Sequence, residues 1–313
     1  MPKIDFRLCK NNNPLSKEKY SLSLEELKER INNRGAKLYG ASYAKYISNI
    51  DVLDNILNKL NIKANEALYI SRLESKVFPN SNIYQNNKID YSILEKELNN
   101  NNLKTVIANS SAFSHRFSFK TIKDQIKDKN IYLISVLGSD AGLIASGITQ
   151  NPIYYSDLMI VPLEGPINSK GFLVLSNNKE LLDVVEENKN TKEELESVLA
   201  QIEETASPRY SVFARKCVNN AKALGKELIN QGIELVEDRI DTNIVVINSN
   251  NISILEENDY LVSSYKGGII LDTTYLSSIG KNVNDMKEYA KSISELLKWV
   301  LKLEASKLIR RPF

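Results

Sequence analysis

The residues best able to do chemistry fall in three short stretches. Ser110, Ser111, Ser114 and His115 form a polar loop directly after the apolar run Thr105–Ala108. A hydroxyl-rich loop at the C-terminal end of a sheet strand can bind phosphate through its hydroxyl and backbone N–H groups. The same residues also serve ordinary turn chemistry, and the residues alone leave both readings open. His115 is either a base or a surface histidine. Ser139 and Asp140 follow a second apolar run, Ile131–Leu137, where Asp140 suits a turn or a helix cap. Lys170, in Asn168-Ser169-Lys170-Gly171, precedes a third run, Phe172–Leu175, and reads as a turn lysine. Lys266-Gly267-Gly268 is a weaker phosphate-cradle candidate that suits a tight turn.

His115 is the only histidine, which excludes a multi-histidine zinc site; no metal is expected. A Ser-His-Asp triad would have to use that one residue. Neither a G-x-x-x-x-G-K-[ST] loop nor a G-x-G-x-x-G turn occurs, so the usual nucleotide-binding fingerprints are missing. A formal net charge of +2 argues against a strongly basic nucleic-acid surface. The two cysteines, Cys9 and Cys217, are too few and too far apart for a disulfide framework, so a cytoplasmic, reducing setting is expected. The start shows no basic stretch leading into an apolar one, so no secretory signal is expected. Residues 131–148 carry Asp140 and several Gly and Ser, which suits a buried strand and turn rather than a membrane span.

These stretches need elements to hold them. Ser23 with Glu26 gives a capping box ahead of a helix to about Asn33. Ile47, Ile50, Leu53, Ile56, Leu57 and Leu60 give a second amphipathic helix. Further on, short continuous apolar strands (67–70, 105–108, 131–137, 158–162, 172–175) alternate with helical periods at 89–98 and 119–127. That alternation predicts an α/β fold around a buried, mainly parallel sheet. Charged helices are expected over 178–188 and 191–204, and a long helix over 209–230. Strands are expected near Val236, over Asn243–Ile247 and Gly268–Leu271, and a final helix over Asn284–Leu303 with Trp299 in the core or at an interface. The domain boundary is placed near 207, giving a large domain over 1–206 with a polar N-terminal arm and a small one over 207–313.

Six blocks, in order, resemble the serine hydroxymethyltransferase family of fold-type I pyridoxal-phosphate enzymes. They are Ile89-Asp90-Tyr91, Ser111-Ala112-Phe113-Ser114, Ala141–Gly147, Tyr155-Ser156-Asp157, Asn219–Leu224 with Gly232–Val236, and Gly268-Ile269 with Gly280. The resemblance covers roughly residues 85–300; the first 85 match poorly, and the chain is shorter than the family norm. It implies a doubly wound, aspartate-aminotransferase-like large domain and a smaller α+β C-terminal domain. It also implies a homodimer with sites built between subunits.

The departures fall on the residues that do the family's chemistry. A Lys amine forms the Schiff base, and an Asp carboxylate keeps the pyridinium nitrogen protonated so that the ring accepts electrons. The resemblance places Val136 at that Asp, Ser139 at the ring-stacking His, Gly165 at the Lys, and Ile270 at the Arg that holds the substrate carboxylate. The expected function is therefore a non-catalytic relative acting as a binding or assembly protein with a protein partner. The alternative is a divergent transferase or lyase acting on a small amino acid such as serine or glycine. In that case Lys170 is the catalytic Schiff-base residue, and Ser111, Ser114, His115, Ser139 and Asp140 hold pyridoxal phosphate. A third reading keeps the pocket for another small anionic ligand without covalent chemistry.

Overall fold

The structure is a computed structural model that describes residues 3–7, 20–48, 51–73, 84–85, 88–99, 102–163, 171–265 and 268–309. Cys9, Gly165, Lys170, Lys266 and Gly267 lie outside the described residues. The chain forms two compact units. The larger comprises Lys10–Ser111 and Arg116–Val212; the smaller comprises Met1–Cys9, Ala112–His115 and Phe213–Phe313.

The larger unit is built on six strands: β1 (Tyr43–Ile47), β2 (Ala67–Ile70), β3 (Thr105–Asn109), β4 (Tyr132–Val136), β5 (Leu158–Pro162) and β6 (Phe172–Ser176). Their spatial order is β1-β6-β5-β4-β3-β2. Strands β2 to β5 are mutually parallel, and β6 runs antiparallel to both neighbours. Five of the six strands therefore point the same way, as the continuous apolar runs imply. Every residue of β2 and β3 is buried, which requires cover on both faces of the sheet.

That cover comes from helices on opposite sides. Val52, Ile56 and Leu57 of α2 (Val52–Lys59) share one apolar cluster with Leu181 and Leu182 of α6 (Lys179–Asp183). The strand residues in that cluster include Ile107, Ile134, Ile160 and Val174. Successive strand residues face opposite ways, so Leu173 lies on the other face. There Gly35 of α1 (Leu24–Tyr39) packs so closely that any side chain would run into Leu173. Ile107 and Ile134 are fully buried, a contribution of roughly 1.5–3 kcal/mol each.

The helix ends show where local sequence decides and where packing does. Ser23 accepts from the Glu26 N–H and the Glu26 carboxylate accepts from the Ser23 N–H, completing the capping box. The helix does not stop near Asn33. It runs through Asn33 and Gly35, both poor helix formers, and ends at Gly40 in the left-handed region (φ 66°). Packing on Leu173 overrides local preference there. The expected helix over 47–60 begins only at Val52, because Ile47 is a buried end residue of β1. The mixed sequence Tyr-Ala-Lys-Tyr-Ile hides that strand. The 178–188 helix shortens to α6, and the Lys45 ammonium closes its end: Nζ donates to Leu182 O in the helix at 3.4 Å and to Val185 O just beyond it at 2.9 Å. Around the sheet stand α3 (Tyr91–Leu98), capped by Asp90, α4 (Phe119–Ile126), capped by Ser118, α5 (Ala141–Ala145) and α7 (Lys192–Thr205), capped by Thr191.

The smaller unit carries an antiparallel sheet of β7 (Ile244–Ile247), β8 (Ser263–Tyr265) and β9 (Gly268–Asp272) in the order β7-β9-β8. Near Val236 the expected strand is a single bridge, Leu235 to Ile247. The unit takes the chain from Phe213 onward in α8 (Pro208–Asn230), then α9 (Ile252–Glu257), α10 (Thr274–Ser278) and α11 (Val283–Ile309). Leu224, Leu228, Val245, Ile269, Leu271, Met286 and Ile293 form its core. Ile4–Asp5 pairs in parallel with Tyr260–Leu261, and Phe6 is buried in the same core. Trp299 is 55% exposed, so it is not a core residue. Among the described residues, no helix is long and apolar enough to cross a membrane.

Candidate functional site

In the larger unit, the turns after β3 and β4 adjoin at the C-terminal ends of parallel strands, where α/β sheets place ligands. After β3, Asn109 Nδ2 donates to the Tyr69 hydroxyl (3.0 Å) and Asn109 Oδ1 accepts the Ser111 N–H (2.9 Å). The Ser110 N–H donates to Val136 O (3.0 Å). After β4, the Gly138 N–H donates to the Asp140 carboxylate (2.9 Å). The two turns touch where a Cβ on Gly138 would collide with Ser111, so glycine is required for the approach. Ser111, Ser139 and Asp140 are thus held on adjoining turns, and Ser139 Oγ is a buried hydroxyl without a hydrogen-bond partner among the described residues.

Asp140 serves its own turn. Its side chain makes no cap bond to α5, although its carbonyl accepts the Leu143 and Ile144 N–H groups. Burial pushes its carboxyl up from the ordinary Asp range, opposed by the Gly138 N–H and the Ser110 hydroxyl. The start of α5 is fixed by two tyrosines. Tyr39 donates to Ala141 O (3.4 Å), and Gly142 lies so close to the Tyr210 hydroxyl that a side chain there would clash. Burial pushes the Tyr39 phenol up, and Tyr210 and Asp140 add to it. Val136 packs against the apolar cluster that contains Ile107, Ile134 and Ile160. The Tyr155-Ser156-Asp157 step is architectural: the Asp157 carboxylate accepts from the Leu133 N–H (2.7 Å) and the Lys123 ammonium (3.1 Å), tying the start of β5 to β4.

Ser114 and His115 belong to the smaller unit and have different partners. The Glu237 carboxylate, buried, accepts the Ser114 N–H (2.7 Å) and the His115 N–H (3.3 Å) on Oε2. Its Oε1 lies 2.5 Å from His115 Nδ1. Ser114 O accepts the N–H groups of Asp241 (2.7 Å) and Thr242 (3.1 Å), while the Thr242 hydroxyl donates to Phe113 O (2.8 Å). Phe113 meets the His115 ring edge-on, 5.9 Å between centroids. Ser114 is fully buried, and its hydroxyl has no hydrogen-bond partner among the described residues.

The polar loop read as one feature therefore divides: Ser110 and Ser111 belong with Ser139 and Asp140, whereas Ser114 and His115 are gathered around Glu237. Lys170 lies outside the described residues. Sequence reasoning missed Glu237, Thr242, Asn109 and Tyr69. Glu237 lies 122 positions beyond His115, and nothing in Leu235-Val236-Glu237-Asp238 marks it as other than a surface acid.

Comparison with known proteins agrees with the architecture. Residues 72–202 match the family model for serine hydroxymethyltransferase. A serine hydroxymethyltransferase of Prochlorococcus marinus (strain NATL2A) is 30% identical over 190 residues, covering 57% of this chain and 46% of that protein. The mitochondrial serine hydroxymethyltransferase of Kluyveromyces lactis is 27% identical over 187 residues, covering 53% of this chain and 38% of that protein. The match thus spans less than half the length of each relative. The family-model match contains β3 to β6 and the turns just described; the blocks at 219–224, 232–236 and 268–269 fall beyond it. With a mainly parallel sheet flanked by helices and this ordered likeness, residues 72–202 of the chain are similar to serine hydroxymethyltransferases.

Proposed function

We propose that this chain is a serine hydroxymethyltransferase-like protein that does not perform pyridoxal-phosphate chemistry and acts as a binding or assembly protein. One observation carries the reading. At the end of β4, where the resemblance puts the carboxylate partner of the cofactor ring, Val136 packs into the apolar cluster. A pyridine ring without that carboxylate is a poor electron sink. Asp140 is no substitute, since its carboxyl is engaged by the Gly138 N–H and the Ser110 hydroxyl. Ile270, at the position of the substrate-carboxylate arginine, is fully buried mid-strand in β9. These described residues do not fit the cofactor as an electron-accepting group. In this reading the chain is cytoplasmic, forms a homodimer, and divides into a large domain over 1–206 and a small one over 207–313.

The test is the absorption spectrum of purified protein with added pyridoxal phosphate, before and after borohydride, with mass spectrometry of its peptides. The expected result is no aldimine band and no specific adduct. A visible band with a reduced adduct on Lys170 would overturn the reading in favour of a divergent transferase or lyase, to be screened with serine and glycine.

A further inference from the structure

We propose that His115 and Glu237 form a preorganised proton-accepting site, with His115 Nε2 as the atom that takes a hydrogen bond or a proton from a ligand bearing an O–H or N–H group. Glu237 Oε2 accepts two backbone N–H groups, which places the side chain as an acceptor, and in the proposed arrangement Oε1 accepts from a proton on His115 Nδ1. In the neutral ring the lone pair then lies on Nε2. Unrestrained histidine favours the opposite tautomer, with the proton on Nε2. The ring is fixed from two sides, by Glu237 and by the edge of Phe113. It keeps 32% side-chain exposure while its carboxylate partner keeps only 4%. A buried carboxylate that fixes the tautomer and orientation of a partly exposed imidazole is how proteins prepare a base or a ligand contact.

Two further observations in the same unit support a site over a simple tie. Ala112 has φ 66°, a left-handed conformation disfavoured for a residue with a Cβ. The turn is held there by the Glu237 carboxylate and by the N–H groups and hydroxyl of Asp241 and Thr242. Beside the dyad, the Ser114 hydroxyl is fully buried and unpartnered among the described residues, a group that a bound donor or acceptor would satisfy. A buried carboxylate and a strained alanine both oppose stability, and both meet at the chain's single histidine. This inference does not depend on whether pyridoxal phosphate binds.

Because there is one histidine, its ring is observable alone. ¹⁵N NMR of the unmodified 313-residue chain is expected to show the neutral ring protonated on Nδ1. Diethyl pyrocarbonate, an electrophilic probe of the unprotonated imidazole nitrogen, is expected to modify Nε2. In Glu237→Gln the amide N–H₂ faces Nδ1 and donates to it. The tautomer should then invert, and the modification should slow severalfold. Glu237→Asp should keep part of the wild-type tautomer preference. A wild-type ring protonated on Nε2 would overturn the proposal without any variant being needed. So would a modification rate that is unchanged in a folded Glu237→Gln protein.

Discussion

The Asp140 turn in the larger unit and the Glu237 cluster in the smaller one solve the same problem by different means. Each must keep a carboxyl group out of water. Asp140 finds its main donor two residues away, in the Gly138 N–H, with Ser110 beside it. Glu237 finds its donors in Ser114 and His115, more than 120 positions earlier in the chain. A locally satisfied group can change with little effect beyond its turn. A group satisfied across the chain holds distant segments together, so its loss reaches further.

The largest effect should come from removing the long-range acceptor. Glu237→Ala leaves the buried Ser114 N–H without its partner and strips the His115 ring of its orientation. It should destabilise the protein by about 3 kcal/mol, measured by chemical denaturation. A loss under about 1 kcal/mol would mean that water replaces the carboxylate, and the contrast with Asp140 would fail.

A smaller effect should follow from closing the space between the β3 and β4 turns. In Gly138→Ala the new Cβ meets Ser111 side-chain and backbone atoms, and the cost should be about 2 kcal/mol. Adding Ser111→Gly should recover only part of this, because the Ser111 Cα itself stands 3.0 Å from where the new Cβ would sit and cannot be removed. Full recovery in the double variant, read from thermal midpoints, would place the obstruction in the side chain alone.

The same contrast explains what could be read from the sequence. The capping box at Ser23 and the buried strands β2 to β6 are legible, because their signals lie within a few residues. The turn pairing of Asp140 with Gly138 is local too, and fits the turn role assigned to Asp140. β1 was not legible, since its polar and apolar residues follow neither period cleanly and its burial comes from β6 and α1. The extension of α1 past Gly35 needed knowledge of Leu173. The division of Ser110-Ser111 from Ser114-His115 depended wholly on Glu237, Asp241 and Thr242, which no local pattern connects to them.

The smallest effect, and the finest test of the comparison, lies at Asp140 itself. Its carboxyl is raised by burial, so the folded protein binds the proton more tightly than the unfolded chain does. The sign follows directly: stability from this group falls as pH rises from the unfolded value of about 3.8 through the higher folded one. Asp140→Asn cannot ionise, and its side-chain oxygen still accepts the Gly138 N–H. The variant should match the wild type at low pH and equal or exceed it at neutral pH, by no more than about 1 kcal/mol. Denaturation midpoints of both proteins across that range would measure the difference. A variant less stable at neutral pH would show that the charge on Asp140 is itself needed to hold this turn.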